Sequence, residues 1–196
     1  MKRMILITGG QRSGKSKYAE QLALSLSEHP VYIATARVLD EEMQRRVSKH
    51  QERRGPCWQT IEQDRDLKRV DVGGGVALID CVTNWCTNRY LDMCGADGAL
   101  PDVDDVYEEL TADFEQFTAQ DGTFIFVTNE IGSGGISVNA MMRQFTDLQG
   151  WLNQYIASKA DEVVLMVCGI GVNIKTHPDP SPQKPHPQPL SKGRGE

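Results

Sequence analysis

The segment that most constrains this chain is GGQRSGKS, Gly9 to Ser16, set directly behind the short apolar run MILIT at residues 4–8. It fits G-x-x-x-x-G-K-[ST], a pattern that takes its meaning from context: a buried strand before it and an amphipathic helix after it. Ala19, Leu22, Ala23 and Leu26 supply the apolar face of that helix. Gly9 and Gly14 permit backbone geometry that points several N–H groups at one anion, with Gly10, Gln11, Arg12 and Ser13 spanning the turn. The start of the helix adds positive charge, Lys15 neutralises terminal phosphates, and Ser16 ligates Mg2+. A glycine turn of no function is the competing reading, and the order strand, loop, helix speaks against it.

Four more short apolar runs follow: VYIAT (31–35), VALID (76–80), FIFVT (124–128) and VVLMVC (163–168). They are too short for helices and are read as buried parallel strands. Helical spacing separates them, at Val106, Leu110, Phe114 and Phe117, and at Val138, Met141, Met142, Phe145, Leu148, Leu152, Tyr155 and Ile156. This alternation predicts an α/β fold, a mostly parallel sheet with helices on both faces. Ligands of such sheets sit at the carboxyl ends of the strands. The segments of interest are therefore the phosphate loop, ATAR, DCVTN and TNEIGSGG. Asp80, closing VALID, is the natural second acid for Mg2+, although a strand-end turn residue would look the same. Asn129 and Glu130 end another strand, and the glycines behind them suit either close approach of a bulky ligand or a mobile surface loop. The polar stretch from Leu91 to Asp105 reads as a surface loop.

With 196 residues, 39% of them hydrophobic, the chain suits one domain with one core. We assign that domain to residues 1–175. Residues 176–196 hold six of the nine prolines and read as a disordered tail. The tail carries three Lys/Arg and two Asp/Glu, so the domain without it stands at −7 against −6 for the whole chain. An acidic domain is a poor partner for nucleic acid. The five cysteines form no C-x-x-C pair and read as incidental thiols of a reducing cytosol. No stretch approaches the roughly 20 apolar residues of a membrane span, and the apolar run at the N-terminus is too short for a signal peptide. The expected location is cytoplasmic.

A histidine complicates the picture of a plain nucleotide binder. Asp40 to Arg53 reads as a helix on which Met43, Val47 and His50 share a face. A packed core histidine is the ordinary reading of that placement. Against it, His177 and His186 lie in the tail and His29 sits at a helix-to-strand turn. His50 alone stands near the ligand-binding end, among Arg45, Arg46, Lys49, Arg53 and Arg54. A basic cluster inside an acidic domain suits phosphate handling, or else is a solvated helix face.

Taken together, ITGGQRSGKS, RVSKHQERRGPCWQTIE, DCVTNWCTN, VTNEIGSG and GWLNQYIASKADEVVLMVCGIGVNIK resemble, in this order, the bifunctional adenosylcobinamide kinase/adenosylcobinamide-phosphate guanylyltransferases of cobalamin biosynthesis. The likeness runs from Ile5 to Lys175. It implies a RecA-like P-loop NTPase fold, usually a homotrimer, and two reactions: phosphorylation of adenosylcobinamide by ATP or GTP, then transfer of GMP from GTP onto that phosphate. It further implies that His50 carries the GMP covalently. The implied nucleotide contacts are Gly9 to Ser16, Ala34, Thr35, Ala36, Gln51, Glu52, Arg53, Arg54, Glu62 and Asp80. One departure stands out: Gly55 precedes Pro56 where the family most often has proline directly after the paired arginines, while Trp58 keeps its place.

Two rival readings differ in what they require. An ordinary small-molecule kinase with a structural His50 forms no covalent nucleotide. A RecA-like nucleic-acid ATPase needs a basic, aromatic-lined groove, which a −7 domain lacks.

Overall fold

The computed structural model describes residues 2–37 and 55–176. The expected helix from Asp40 to Arg53, with His50, and nearly all of the proline-rich tail lie outside these residues. The described strands form one sheet: β1 (Arg3–Gly9), β2 (Val31–Ala34), β3 (Gln59–Glu62), β4 (Val76–Asp80), β5 (Thr123–Val127), β6 (Glu162–Val167) and β7 (Ile170–Lys175), in the spatial order β3-β2-β4-β5-β1-β6-β7. All neighbours are parallel except β6 and β7. Helices α1 (Lys15–Leu26), α2 (Val82–Asp92), α3 (Val103–Phe117) and α4 (Ala140–Lys159) flank it.

The central strands are apolar on both faces because both faces are covered. Ile5 and Ile7 of β1 turn toward Ala19 and Ala23 of α1, in a cluster with Leu78, Ile125 and Val127. Met4 and Leu6 point the other way, into a larger cluster with Trp85 of α2, Leu110, Phe114 and Phe117 of α3, and Leu148, Leu152 and Ile156 of α4. Most ring pairs in that second layer meet edge-on or tilted, as Phe117 does with Phe124 at 5.1 Å and Phe114 with Phe126 at 5.2 Å. Fully burying each such side chain contributes roughly 1.5–3 kcal/mol, so the layer anchors α3 and α4 to the strands beneath.

This is the mostly parallel, helix-flanked P-loop NTPase architecture of the RecA-like type, with β5 inserted between the strand that feeds the phosphate loop and the strand that ends in Asp80. The structure also departs from the sequence reading at particular elements. The edge strand β3 and the helix α2 carry no clear periodic signal; β7 is not expected either, although Ile170, Val172 and Ile174 alternate with Gly171, Asn173 and Lys175. The loop expected from Leu91 to Asp105 shrinks to residues 93–102, since α2 reaches Asp92 and α3 starts at Val103. Val138 precedes α4, whose N-cap is Asn139, and Val138, Met141 and Met142 are exposed rather than part of the core face.

Candidate active site

The register of the parallel strands sets one row of residues across the carboxyl edge of the sheet. Glu62 pairs with Ala34, Ala34 with Asp80, Asp80 with Val127, and Val127 with Ile7. Three positions singled out in the sequence, Glu62, Ala34 and Asp80, therefore stand level, two residues before the phosphate loop begins at Gly9. Glu62 is exposed, on the edge strand.

The loop turns through backbone angles that glycine supplies. Gly9 has φ 150° and Gly14 φ 99°, while Arg12 takes a left-handed φ of 61°. Gly14 caps α1 with no side-chain hydrogen bond, and the first turn of the helix contains no acidic residue. The free N–H groups there, with the positive end of the helix, remain available to an anion. Ser13 has a buried hydroxyl with no partner among the described residues, an orphaned polar atom on the inside of this cradle. Gly10, Gln11 and Arg12 form the exposed rim, and Ser16 is half-buried at the start of α1.

Lys15 is buried, and its ammonium donates to the carbonyl oxygens of Gly9 at 2.9 Å and Gly10 at 2.6 Å. Burial lowers its pKa below the ordinary lysine value, opposed by charge at Cys81 and Asp80. The Cys81 thiol is itself pushed up to about 12, chiefly by burial, so at neutral pH it is uncharged and Asp80 is the anion that matters to Lys15. Asp80 in turn accepts a 2.9 Å hydrogen bond from the Tyr32 hydroxyl.

Among the described residues no three His, Cys, Asp or Glu side chains converge on a cation position. Mg2+ does not require such a cage, since it keeps waters and is held by one or two protein oxygens together with substrate phosphates. A serine hydroxyl opening α1 and a carboxylate closing β4 beside the buried Lys15 are oxygen donors of the right kind.

Thr35 and Ala36 continue β2 into the site. The Thr35 hydroxyl is spent within the fold, donating to the Cys81 carbonyl at 2.8 Å and accepting from the Cys81 N–H at 2.7 Å. Its carbonyl accepts from Asn88 Nδ2 at 2.8 Å. Any contact that Thr35 offers a ligand is thus through its position, with β2 and the start of α2 fastened together behind it. Arg37, the last described residue before position 55, is clamped by Asp92, at 2.7 and 2.6 Å, and by Asp64.

On the other side of β1 the loop leans on its neighbours. The Glu130 N–H donates to the Gly9 carbonyl at 3.1 Å, and the Gly169 N–H to the Ser13 carbonyl at 2.9 Å. A buried chain of polar groups backs the first contact: Gln149 and Asn153 of α4 bind Thr128, and Asn153 Nδ2 reaches the Asn129 carbonyl at 3.1 Å. Arg37 ends ATAR, a segment singled out in the sequence, without a role assigned to it. Sequence reading missed Tyr32, Asp92, Gln149 and Asn153, and only the last two had a visible signal, as polar residues at core positions of an apolar helix face.

Gln51, Glu52, Arg53 and Arg54 lie with His50 outside the described residues.

Comparison with known proteins agrees with the resemblance. A family model described as cobinamide kinase / cobinamide phosphate guanyltransferase matches residues 5–174. The chain is 38% identical over 181 residues to the bifunctional adenosylcobalamin biosynthesis protein CobU of Escherichia coli (strain K12), covering 88% of this chain and 99% of that protein. It is 39% identical over 184 residues to the protein of the same name from Salmonella typhimurium (strain LT2), with coverage of 88% and 99%. To the bifunctional adenosylcobalamin biosynthesis protein CobP of Pseudomonas aeruginosa (strain PAO1) it is 36% identical over 179 residues, with coverage of 88% and 98%. The match spans the phosphate loop, the Asp80 strand and all but the outermost residues of the described sheet, and the chain belongs to the cobinamide kinase / cobinamide phosphate guanyltransferase family.

Proposed function

We propose that this protein phosphorylates adenosylcobinamide with ATP or GTP and then transfers GMP from GTP, through a covalent intermediate on His50, to give adenosyl-GDP-cobinamide and pyrophosphate. The observation that carries the nucleotide half is the phosphate loop itself: a buried Lys15 with Asp80 as its counter-charge, at the head of a helix whose first turn is free of acids. Family membership carries the choice of substrate.

Phosphoryl transfer is mainly positioning and neutralisation of charge. The loop amides from Gly9 to Ser16 hold the phosphates, and Lys15 can exchange the Gly9 and Gly10 carbonyls for phosphate oxygens. Ser16 and Asp80 would hold Mg2+, which supplies charge neutralisation across the terminal phosphates when bound. Ala34, Thr35, Ala36 and Glu62 line the remainder of the nucleotide's path along the strand ends. Guanylyl transfer splits one displacement between two anions into two easier ones. Neutral imidazole at His50 attacks the α-phosphorus of GTP and pyrophosphate leaves. The cobinamide phosphate then displaces the imidazole, with Arg53 and Arg54 screening the phosphates and Gln51 and Glu52, next to the histidine in sequence, contacting the nucleotide.

One domain, residues 1–175, performs both steps in this reading, with the proline-rich tail outside it. No helix of the described residues is long and apolar enough to cross a membrane, which suits a cytoplasmic enzyme. The exposed Val167, Ile170, Val172 and Ile174 at the β6–β7 edge give apolar surface that a homotrimer would bury.

The test is incubation with α-labelled GTP. An acid-labile, alkali-stable label on the wild-type chain, lost in His50→Ala while ATP-dependent phosphorylation of adenosylcobinamide persists, is the expected result. A label that survives the substitution unchanged defeats the histidine assignment.

A further inference from the structure

Phosphorylating a hydroxyl leaves a proton to be disposed of, and kinases commonly place a carboxylate to accept it. The carboxylates near the carboxyl end of the sheet, among the described residues, can be taken in turn. Asp80 accepts from Tyr32, lies near Lys15 and is the acid suited to the metal. The residue after it is Cys81, buried and uncharged at neutral pH, so β4 offers no second acid there. Asp64 is held by Arg37. Glu62 sits on β3, four strands away from β1, or roughly 19 Å at the usual strand spacing.

Glu130 differs from all of these. It leaves β5, the strand between β1 and β4, and its N–H is bonded to the Gly9 carbonyl of the phosphate loop. No ion pair or side-chain hydrogen bond engages its carboxylate among the described residues. That carboxylate also lies beside Gly132, a residue that lines a cavity. A Cβ placed on Gly132 would lie 3.7 Å from Glu130 Oε1 and 3.7 Å from Thr146 Cγ2. Gly132 and Thr146 both line a pocket of about 390 Å3, together with Ile136, Arg143, Asp147 and Trp151. Apolar surface mixed with charged and hydroxyl groups suits a bulky acceptor with a polar rim.

We propose that Glu130 is the general base of the phosphorylation step and that the pocket beside Gly132 seats the acceptor. The assignment rests on the kinase activity proposed above. The Glu130 carboxylate takes the proton of the acceptor's hydroxyl as that oxygen forms its bond to the γ-phosphorus. The bond from the γ-phosphorus to the β,γ-bridging oxygen breaks, and the nucleoside diphosphate leaves with the electron pair. The protonated Glu130 afterwards releases its proton to water.

The experiment compares wild type with Glu130→Gln in three assays: ATP-dependent phosphorylation of adenosylcobinamide as a function of pH, equilibrium binding of ATP, and covalent labelling by α-labelled GTP. The expected result is a loss of roughly 100-fold in kcat. The acid limb of the wild-type pH profile should flatten, while ATP affinity and labelling stay within threefold. A kcat within threefold of wild type overturns the proposal, as does a parallel loss of phosphorylation and ATP binding, which would mark Glu130 as a support of the loop. So would Asp147→Asn abolishing phosphorylation while Glu130→Gln retains it. A wild-type chain that labels with GTP but phosphorylates no cobinamide would defeat the kinase reading itself, and the base with it.

Discussion

The Tyr32 hydroxyl of β2 donates a 2.9 Å hydrogen bond to Asp80 Oδ2 at the end of β4, so the acid expected to serve Mg2+ has one oxygen already oriented by a neighbouring strand. Tyr32 is itself fixed, 96% buried and edge-on to Trp58 at 5.9 Å. The Tyr32→Phe substitution keeps that packing and removes the tether. We expect a stability loss of about 1 kcal/mol. The Mg2+ concentration for half-maximal phosphorylation should rise several-fold, because an outer partner that orients a metal ligand contributes to affinity. A Mg2+ titration of the variant at saturating ATP checks this, and an unchanged midpoint would separate Tyr32 from the metal site.

Arg37 joins β2 to α2 through Asp92 and to Asp64 in one clamp. The Arg37 hydrogen bonds hold the Asp92 carboxyl below its usual range. A depressed carboxyl contributes stability above its unfolded pKa of about 3.8. That contribution is lost as pH falls through the lower folded value. The Arg37→Met variant should therefore be less stable than wild type by about 1 kcal/mol at pH 7, a modest figure since Arg65 still lies 3.5 Å from Asp92. The gap should close toward pH 2. Urea unfolding at the two pH values measures it. Since position 37 precedes the segment with His50, covalent labelling by GTP should slow more than ATP binding weakens.

Burial pushes the Cys81 thiol from 9.0 up to about 12. The unfolded chain releases this proton near pH 9 and the folded chain keeps it, so the stability attached to the thiol is present below pH 9 and is lost as pH rises toward 12. Replacing Cys81 with alanine removes that loss. Relative to wild type, the variant should gain about 1 kcal/mol between pH 8.5 and pH 10. Guanidinium unfolding curves for both proteins across that range decide the matter, and parallel curves would contradict the assignment. In native protein the exposed Cys168 should react with iodoacetamide well before Cys81.

How much of this was legible in the sequence follows from where the information lies. MILIT, GGQRSGKS and the helix behind them are local: one run of residues dictates strand, loop and helix, and Asp80 follows from being the acid that closes a buried run. The hairpin β6–β7 also had a local signal, since Cys168 and Gly169 both take left-handed angles, as a two-residue hairpin turn requires. Cysteine in its first position disguised it. Helix α2 was hidden because VTNWCTNRYLD mixes β-branched and polar residues, and it is held by burial of Trp85 and Tyr90 instead of by propensity. Tyr32 and Asp80 are 48 positions apart and Thr35 and Cys81 46, and they meet only through the parallel pairing of β2 with β4. Register of that kind is a tertiary outcome, and no window of sequence contains it.

Gly9 and Gly10 look alike in the motif and differ in the fold. A Cβ on Gly9 would lie 2.5 Å from the Met166 carbonyl oxygen and 2.9 Å from Ser13 Oγ, on a backbone with φ 150° that L residues rarely adopt. A Cβ on Gly10 would meet nothing within 4 Å. The close approach of Gly9 to β6 is what lets the loop start its turn directly off a central strand, and backbone of β6 cannot yield as a side chain can. We therefore expect Gly9→Ala to cost roughly 2–4 kcal/mol and to abolish nucleotide binding. By contrast, Gly10→Ala should unfold within ~0.5 kcal/mol of wild type. Thermal denaturation of the two variants in the absence of nucleotide makes the comparison without reference to activity. Equal losses would mean that the loop's glycines serve only the ligand, not the join between β1 and β6.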